Sequence, residues 1–123
     1  MKNAVIRFFA GEDETIALCL KLLYRLDEAL DEYEIRPAKT QLSMYSGCMF
    51  GCLSHPRSQK QGKVLVTFGL PAKAVSGRIL HAVEAAPGRW THHVPISTES
   101  EIDDELIGWL AAAQAFAKAK KKR

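Results

Sequence analysis

The sequence predicts an α+β fold, a five-stranded antiparallel sheet meander with N- and C-terminal helices packed on one face. Near both ends of the chain, apolar residues recur at three- and four-residue steps, which is typical of amphipathic helices. Between these segments the apolar period changes to two, which is typical of strands that bury one face. Strands clustered between terminal helices favour a layered arrangement in which one sheet face meets both helices.

The first helix is predicted over residues 13–33, with Asp13 as its cap. Pro37 then prevents the helix from continuing. The apolar residues of this segment, which we expect to face the sheet, are Ile16, Cys19, Leu20, Leu23, Leu26 and Leu30.

The five strands are predicted between residues 40 and 96, where alternation assigns each residue to one sheet face. The face toward the helices comprises Leu42, Met44, Cys48, Phe50, Cys52, Val64, Val66, Phe68, Ile79, Val83, Trp90, Val94 and Ile96. The opposite, polar face comprises Lys39, Gln41, Ser43, Tyr45, Thr67, Glu84, Arg89, Thr91 and His93, with Met49, Leu53 and Leu65 as its apolar members. If Glu84 pairs with Arg89 across the last turn, His81 lies opposite His92 on the helix side.

The final helix is predicted after Thr98, which forms a capping-box candidate with Glu101. Its apolar stripe comprises Ile102, Leu106, Trp109, Leu110, Ala113 and Phe116, and we expect Trp109 and Phe50 to be core residues. Residues 1–117 are expected to form a single α+β domain. Residues 118–123 are expected to form a basic, disordered tail.

Charge is divided along the chain, with a basic middle and acidic flanks. Residues 35–96 contain eight Lys/Arg and one Glu, whereas residues 97–117 contain five acids and no base. The basic tail lacks interleaved aromatic residues, so nucleic acid is an unlikely partner. Three cysteines, an odd number, favour free thiols, and the apolar stretch near residues 5–10 is too short for a membrane span. These features predict a cytoplasmic protein without a membrane partner.

No catalytic motif of high specificity occurs in the sequence. There is no P-loop, no Gly-x-Ser-x-Gly elbow, no His-Glu-x-x-His and no Cys-x-x-Cys. An enzyme is therefore the less favoured class, and no cofactor is identified.

The polar sheet face is the candidate site for a small anionic or polar ligand or for a protein partner. Lys39 supplies a point charge, Arg89 a planar fork, and Tyr45 and His93 directional hydrogen bonds. Two other uses of this face stay open, a homodimer contact and an enzyme with His93 as general base.

The acidic side of the first helix gives another alternative. Asp27 with Asp31, and Glu28 with Glu32, recur at four-residue spacing. A solvated face is the simplest interpretation, and weak binding of iron or another hard cation is the other. No set of metal ligands is predicted.

Three segments resemble an uncharacterised bacterial family called domain of unknown function 5655. They are PAKTQLSMYSGCMFGCLSH at 37–55, His92-His93-Val-Pro-Ile, and Glu101-Ile-Asp-Asp-Glu-Leu-Ile-Gly-Trp-Leu. The resemblance covers nearly the whole chain and implies an α+β fold of the YdhG-like superfamily, with no established activity. One distant branch of that superfamily is linked to frataxin-like iron handling, so the resemblance also makes iron a hypothesis.

Overall fold

The structure, a computed structural model, describes residues 1–58 and 60–121. Its helices are α1 (Lys2–Phe8), α2 (Asp13–Ala29) and α3 (Asp104–Lys121), with a short 3-10 turn at Glu99–Glu101. Its strands are β1 (Glu34–Pro37), β2 (Leu42–Tyr45), β3 (Met49–Ser54), β4 (Val64–Leu70), β5 (His81–Ala86) and β6 (Arg89–Ile96).

The strands form one antiparallel sheet in the order β1-β2-β3-β4-β6-β5. The α+β class and the antiparallel sheet are confirmed, but the described strands number six, so the prediction of five was wrong. The missed strand is β1, in which Pro37 pairs with Leu42. The simple meander was also wrong, because β6 lies between β4 and β5.

One face of the sheet, here called the covered face, shares a single hydrophobic core with all three helices. In α2 the buried positions include Leu18 and Leu22 as well as Cys19, Leu23 and Leu26. Val5 and Phe9, in and just after α1, join the same core, although α1 was not predicted from the sequence. The opposite sheet face, here called the open face, has no helix packed on it within the described residues.

An irregularity between β2 and β3 changes which side chains reach the core. The register shifts between Met44 and Tyr45, so two residues of β3 face one position of β2. Phe50 still packs in the core, as predicted, but Leu53 also lies there, opposite Val66. The predictions that Leu53 faces away from the helices and that Cys52 faces them were therefore wrong, because a bulge reverses the alternation.

A second irregularity lies between β5 and β6. Glu84 pairs with Trp90 and Ala86 with Arg89, with a register shift between them. His81 therefore lies opposite His93 on the open face, and the prediction that it faces His92 was wrong. Val83 was predicted to face the helices, but it pairs with Thr91 and so lies on the open face, where it is 56% exposed.

The N-terminal end of the last helix differs from the prediction. The Glu101 carboxylate accepts the backbone N–H groups of Ser97 and Thr98, so the capping box forms, but it closes the short turn. Asp103 accepts the Leu106 N–H and begins α3.

The C-terminal end of α3 extends further than expected. It continues to Lys121, so the predicted disordered tail does not begin at Lys118. Residues 122 and 123 lie outside the described part of the chain.

Trp109, which was predicted as a core residue, is half-buried and stacks on Phe68 with ring centres 5.6 Å apart. It therefore packs against the core without being enclosed by it.

Candidate functional site

A cavity of about 390 Å³ opens where β3 and β6 begin, β4 ends and the second half of α3 passes. Its walls are mostly apolar, with Met49, Phe50, Phe68 and Phe116 contributing side chains. Gly69 adds no side chain, and a Cβ built there would meet nothing nearer than the Trp90 carbonyl at 4.0 Å. The missing side chain helps to leave this end of the sheet accessible.

Two cations lie at this cavity, one from each wall. Arg89 comes from the first residue of β6, and Lys120 comes from the last turns of α3. Neither forms a salt bridge with any carboxylate of the described residues. Lys120 Nζ lies 5.4 Å from the centre of the Phe116 ring, which holds an ammonium group beside an apolar wall.

The remaining lining is weakly polar. The Cys48 thiol donates to the Ala117 carbonyl at 3.3 Å, which ties the start of β3 to α3. Thr67 and Thr91 present hydroxyl groups, and burial raises the pKa of the Cys52 thiol. An apolar body with one anionic group would therefore find matching chemistry in this cavity.

The four residues predicted as a ligand site do not converge on one point. Of them, only Arg89 lines the cavity. Tyr45 lies on the open face under the Arg36 guanidinium, whose carbon is 4.1 Å from the ring centre. Lys39 lies in the connection between β1 and β2, at the end of the sheet opposite Arg89.

His93 occupies the middle of the open face. Its Nδ1 and the Thr67 hydroxyl are 3.0 Å apart, and its ring lies 6.3 Å from that of His81. Burial, and then the neighbouring imidazoles of His81 and His92, lower the pKa of His93. This favours its neutral form near pH 7, as the general-base hypothesis requires.

Lys120 is the cavity residue that the sequence reasoning missed, because the terminal basic run was interpreted as a tail. A signal for it was present: Lys120 follows Phe116 by four residues, the step at which helical side chains share a face. Extending the helical period past residue 117 would have placed it beside that aromatic ring.

The first helix was predicted to reach residue 33, but α2 ends at Ala29, so Asp31 and Glu32 lie beyond it. Two of the four acidic residues predicted as a cation site, Asp27 and Asp31, have partners within the chain. Lys118 pairs with Asp31 at 2.7 Å, and Tyr33 donates to Asp27 at 3.0 Å. The Lys118 contact lowers the pKa of Asp31. Across the described residues, no group of three or more His, Cys, Asp or Glu side chains is arranged to hold a metal ion.

A second cavity, of about 640 Å³, lies where α2 begins. Side chains of both charge signs line it: His55 contacts Glu12 at 2.8 Å and Lys63 contacts Glu14, whereas Asp13 and Arg57 form no salt bridge within the described residues. The Lys63 contact lowers the pKa of Glu14. Because three acidic residues line this cavity beside Arg57 and Lys63, it has less electrostatic preference for an anion than the cavity at Arg89.

No helix in the described part of the chain is both long and apolar enough to cross a membrane. No curated protein and no solved structure matches the chain. The model of one family, described as domain of unknown function (DUF5655), matches residues 7–117. Because this match covers most of the sequence, the chain belongs to the DUF5655 family.

Proposed function

We propose that this protein binds a small amphipathic anion, a molecule with one carboxylate or phosphate group on an apolar body, in the cavity at Arg89. The observation that carries the proposal is the pair of cations, Arg89 and Lys120, at a largely apolar cavity without carboxylate partners among the described residues. Cavities that bind small molecules typically combine apolar walls with a few polar groups in this way.

The dimensions and the charges support the same ligand class. The cavity volume of about 390 Å³ is near the lower end of the roughly 300–1,000 Å³ that ligand pockets occupy. A guanidinium presents parallel N–H donors that match a carboxylate or phosphate, and charge-assisted bonds of this kind are stronger than neutral ones. The aromatic walls then favour an apolar remainder over a fully hydrated ion.

The alternative functions have less support. For His93 as a general base, its lowered pKa is favourable, but no described side chain stands out as an activated nucleophile beside it. For iron at the acidic residues in and just after α2, Asp27 and Asp31 already have partners within the chain. A homodimer through the open face has its best support in the exposed Val83 and Met49.

The proposal retains a cytoplasmic location and a place in the YdhG-like superfamily. Its support is the three free cysteines, which suit a reducing compartment, and the layering of helices on one face of an antiparallel sheet.

The proposal is tested by two-dimensional NMR titration with octanoate and phenyl phosphate, and with octanol as a neutral counterpart. We expect both anions to shift the amide signals of Gly51, Gly69 and Thr91 and octanol to do so much less. Replacing Arg89 with Ala should weaken anion binding about ten-fold or more, because a hydrogen bond to a charged group contributes about 1.5–3 kcal/mol.

Lys60→Ala is the matched control, because this exposed lysine does not line the cavity. An equal loss of affinity in Lys60→Ala and Arg89→Ala would show that only net charge matters. Shifts confined to other parts of the chain would place the ligand elsewhere and would contradict the proposal.

A further inference from the structure

The cross-strand histidine pair on the open face has no role in the proposed ligand cavity. His81 and His93 are directly opposite each other in β5 and β6, and residues paired in this way have Cβ atoms about 4.5–5.5 Å apart. His81 is exposed and His93 is half-buried, so both rings are accessible from solvent. Neither residue lines the cavity at Arg89.

We propose that His81 and His93 form a binding site for a divalent transition metal ion such as Zn²⁺ or Ni²⁺. Imidazole nitrogen is a favoured ligand of these ions, whereas Mg²⁺ and Ca²⁺ prefer oxygen. Two protein ligands leave the remaining coordination positions to water or to a small ligand. With two protein ligands the site is more open than a catalytic zinc centre, which keeps three, so we expect the ion to exchange readily.

The distance between the rings is compatible with this assignment. Their centres are 6.3 Å apart and their planes meet at 76°. With Zn–N bonds of about 2.0–2.1 Å, a tetrahedral ion would hold the two ring centres about 5 Å apart. The proposal requires the exposed side chain of His81 to rotate about its side-chain torsions by enough to close this difference.

Thr67 provides the orienting contact that metal-binding histidines usually have. Its hydroxyl lies 3.0 Å from His93 Nδ1. In the tautomer that carries the proton on Nδ1, the Thr67 oxygen accepts Nδ1–H of His93. Nε2 then keeps its lone pair for the metal, and the ring orientation is fixed.

The test is isothermal titration of Zn²⁺ and Ni²⁺ into protein freed of metal with EDTA. We expect one ion per chain in the wild type and a loss of affinity of about ten-fold or more in His81→Ala, because one of the two imidazole ligands is removed. His81 is exposed, so this variant should keep the wild-type melting temperature and decides the question even if His93→Ala folds poorly.

His55→Ala is the matched control, since His55 is also exposed and lies beside Glu12, away from the pair. Thr67→Val should weaken binding by about 10- to 100-fold, in the range seen when the orienting partner of a metal ligand is removed. Imidazole ¹⁵N spectra should show the Zn²⁺-dependent shift at His93 Nε2. Unchanged affinity in His81→Ala, or a loss that instead follows His55→Ala, would overturn the site.

Discussion

His92 and His93 are adjacent in β6, yet their surroundings have little in common. His92 has no exposed surface, stacks on Phe68 at 5.1 Å and accepts the Ala74 N–H through Nε2 at 2.9 Å. His93 lies half-buried on the other side of the strand, with Thr67 and His81 as neighbours. Because successive residues of a strand face opposite ways, one step along the chain separates a structural imidazole from one available for chemistry.

The same contrast holds across the whole sheet. The covered face is a continuous set of apolar side chains packed against three helices, where each residue is constrained by many neighbours. The open face carries polar side chains in register across neighbouring strands, including Ser43, Cys52, Thr67 and His93. Substitutions on the covered face should therefore change stability, and those on the open face should change binding.

The largest expected difference compares two leucines, Leu53 on the covered face and Leu65 on the open face. Leu53 has no exposed surface, so Leu53→Ala should lower the free energy of unfolding by about 2–5 kcal/mol through lost packing and a cavity. Leu65 is half-buried and pairs with Pro95, so Leu65→Ala should cost clearly less. Urea denaturation of both variants measures the difference, and equal losses would contradict the reversal of faces at the β3 bulge.

That bulge marks the limit of what alternation predicts. In β4 the predicted covered positions Val64, Val66 and Phe68 are all in the core, because the strand is regular throughout. In β3 one extra residue places Leu53 on the covered face and Cys52 on the open face. No residue type in this segment predicts the bulge. Short-range periodicity cannot predict a shift that depends on how the partner strand is held.

The other features that were not predicted from the sequence have physical causes as well. β1 is four residues long, mostly exposed and ends in proline, so it has no apolar alternation to detect. Of the four residues predicted as a ligand site, only Arg89 lines the cavity. Lys39 is also basic, but it lies at the opposite end of the sheet from Arg89. The end of the sheet at which a residue lies depends on the order of the strands. The predicted meander would place β5 next to β4, but β6 takes that place.

The second prediction compares two glycines in neighbouring strands. A Cβ at Gly51 would lie 2.6 Å from the Thr67 carbonyl oxygen and 2.9 Å from Met44 Cε, so the backbone or a core side chain must move. Gly51→Ala should therefore cost about 1–3 kcal/mol, as overpacking does. Gly69→Ala meets nothing closer than 4.0 Å and should leave thermal stability unchanged or slightly raised. A melting temperature lowered equally in both variants would contradict this comparison.

The third prediction concerns the two histidines themselves. His92→Ala leaves the Ala74 N–H without its acceptor, and an unsatisfied buried donor costs about 1–3 kcal/mol in addition to the lost stacking on Phe68. His93→Ala removes one hydrogen bond at a half-buried position and should cost about 1 kcal/mol or less. Guanidinium denaturation in the presence of EDTA measures both, and a larger loss in His93→Ala would reverse the assigned roles.

The smallest expected effect on stability is at Arg89 and Lys39, and a comparison of their effects on binding distinguishes the cavity from the open face. Both side chains are exposed and form no salt bridge within the described residues, so Ala at either position should change the free energy of unfolding by less than about 0.5 kcal/mol. Their effects on octanoate binding should differ, because Arg89 lines the cavity and Lys39 lies at the opposite end of the sheet. We expect the NMR titration to show weakened binding in Arg89→Ala alone. Equal weakening in Lys39→Ala would extend the binding site over the whole open face, and loss in neither variant would remove Arg89 from it.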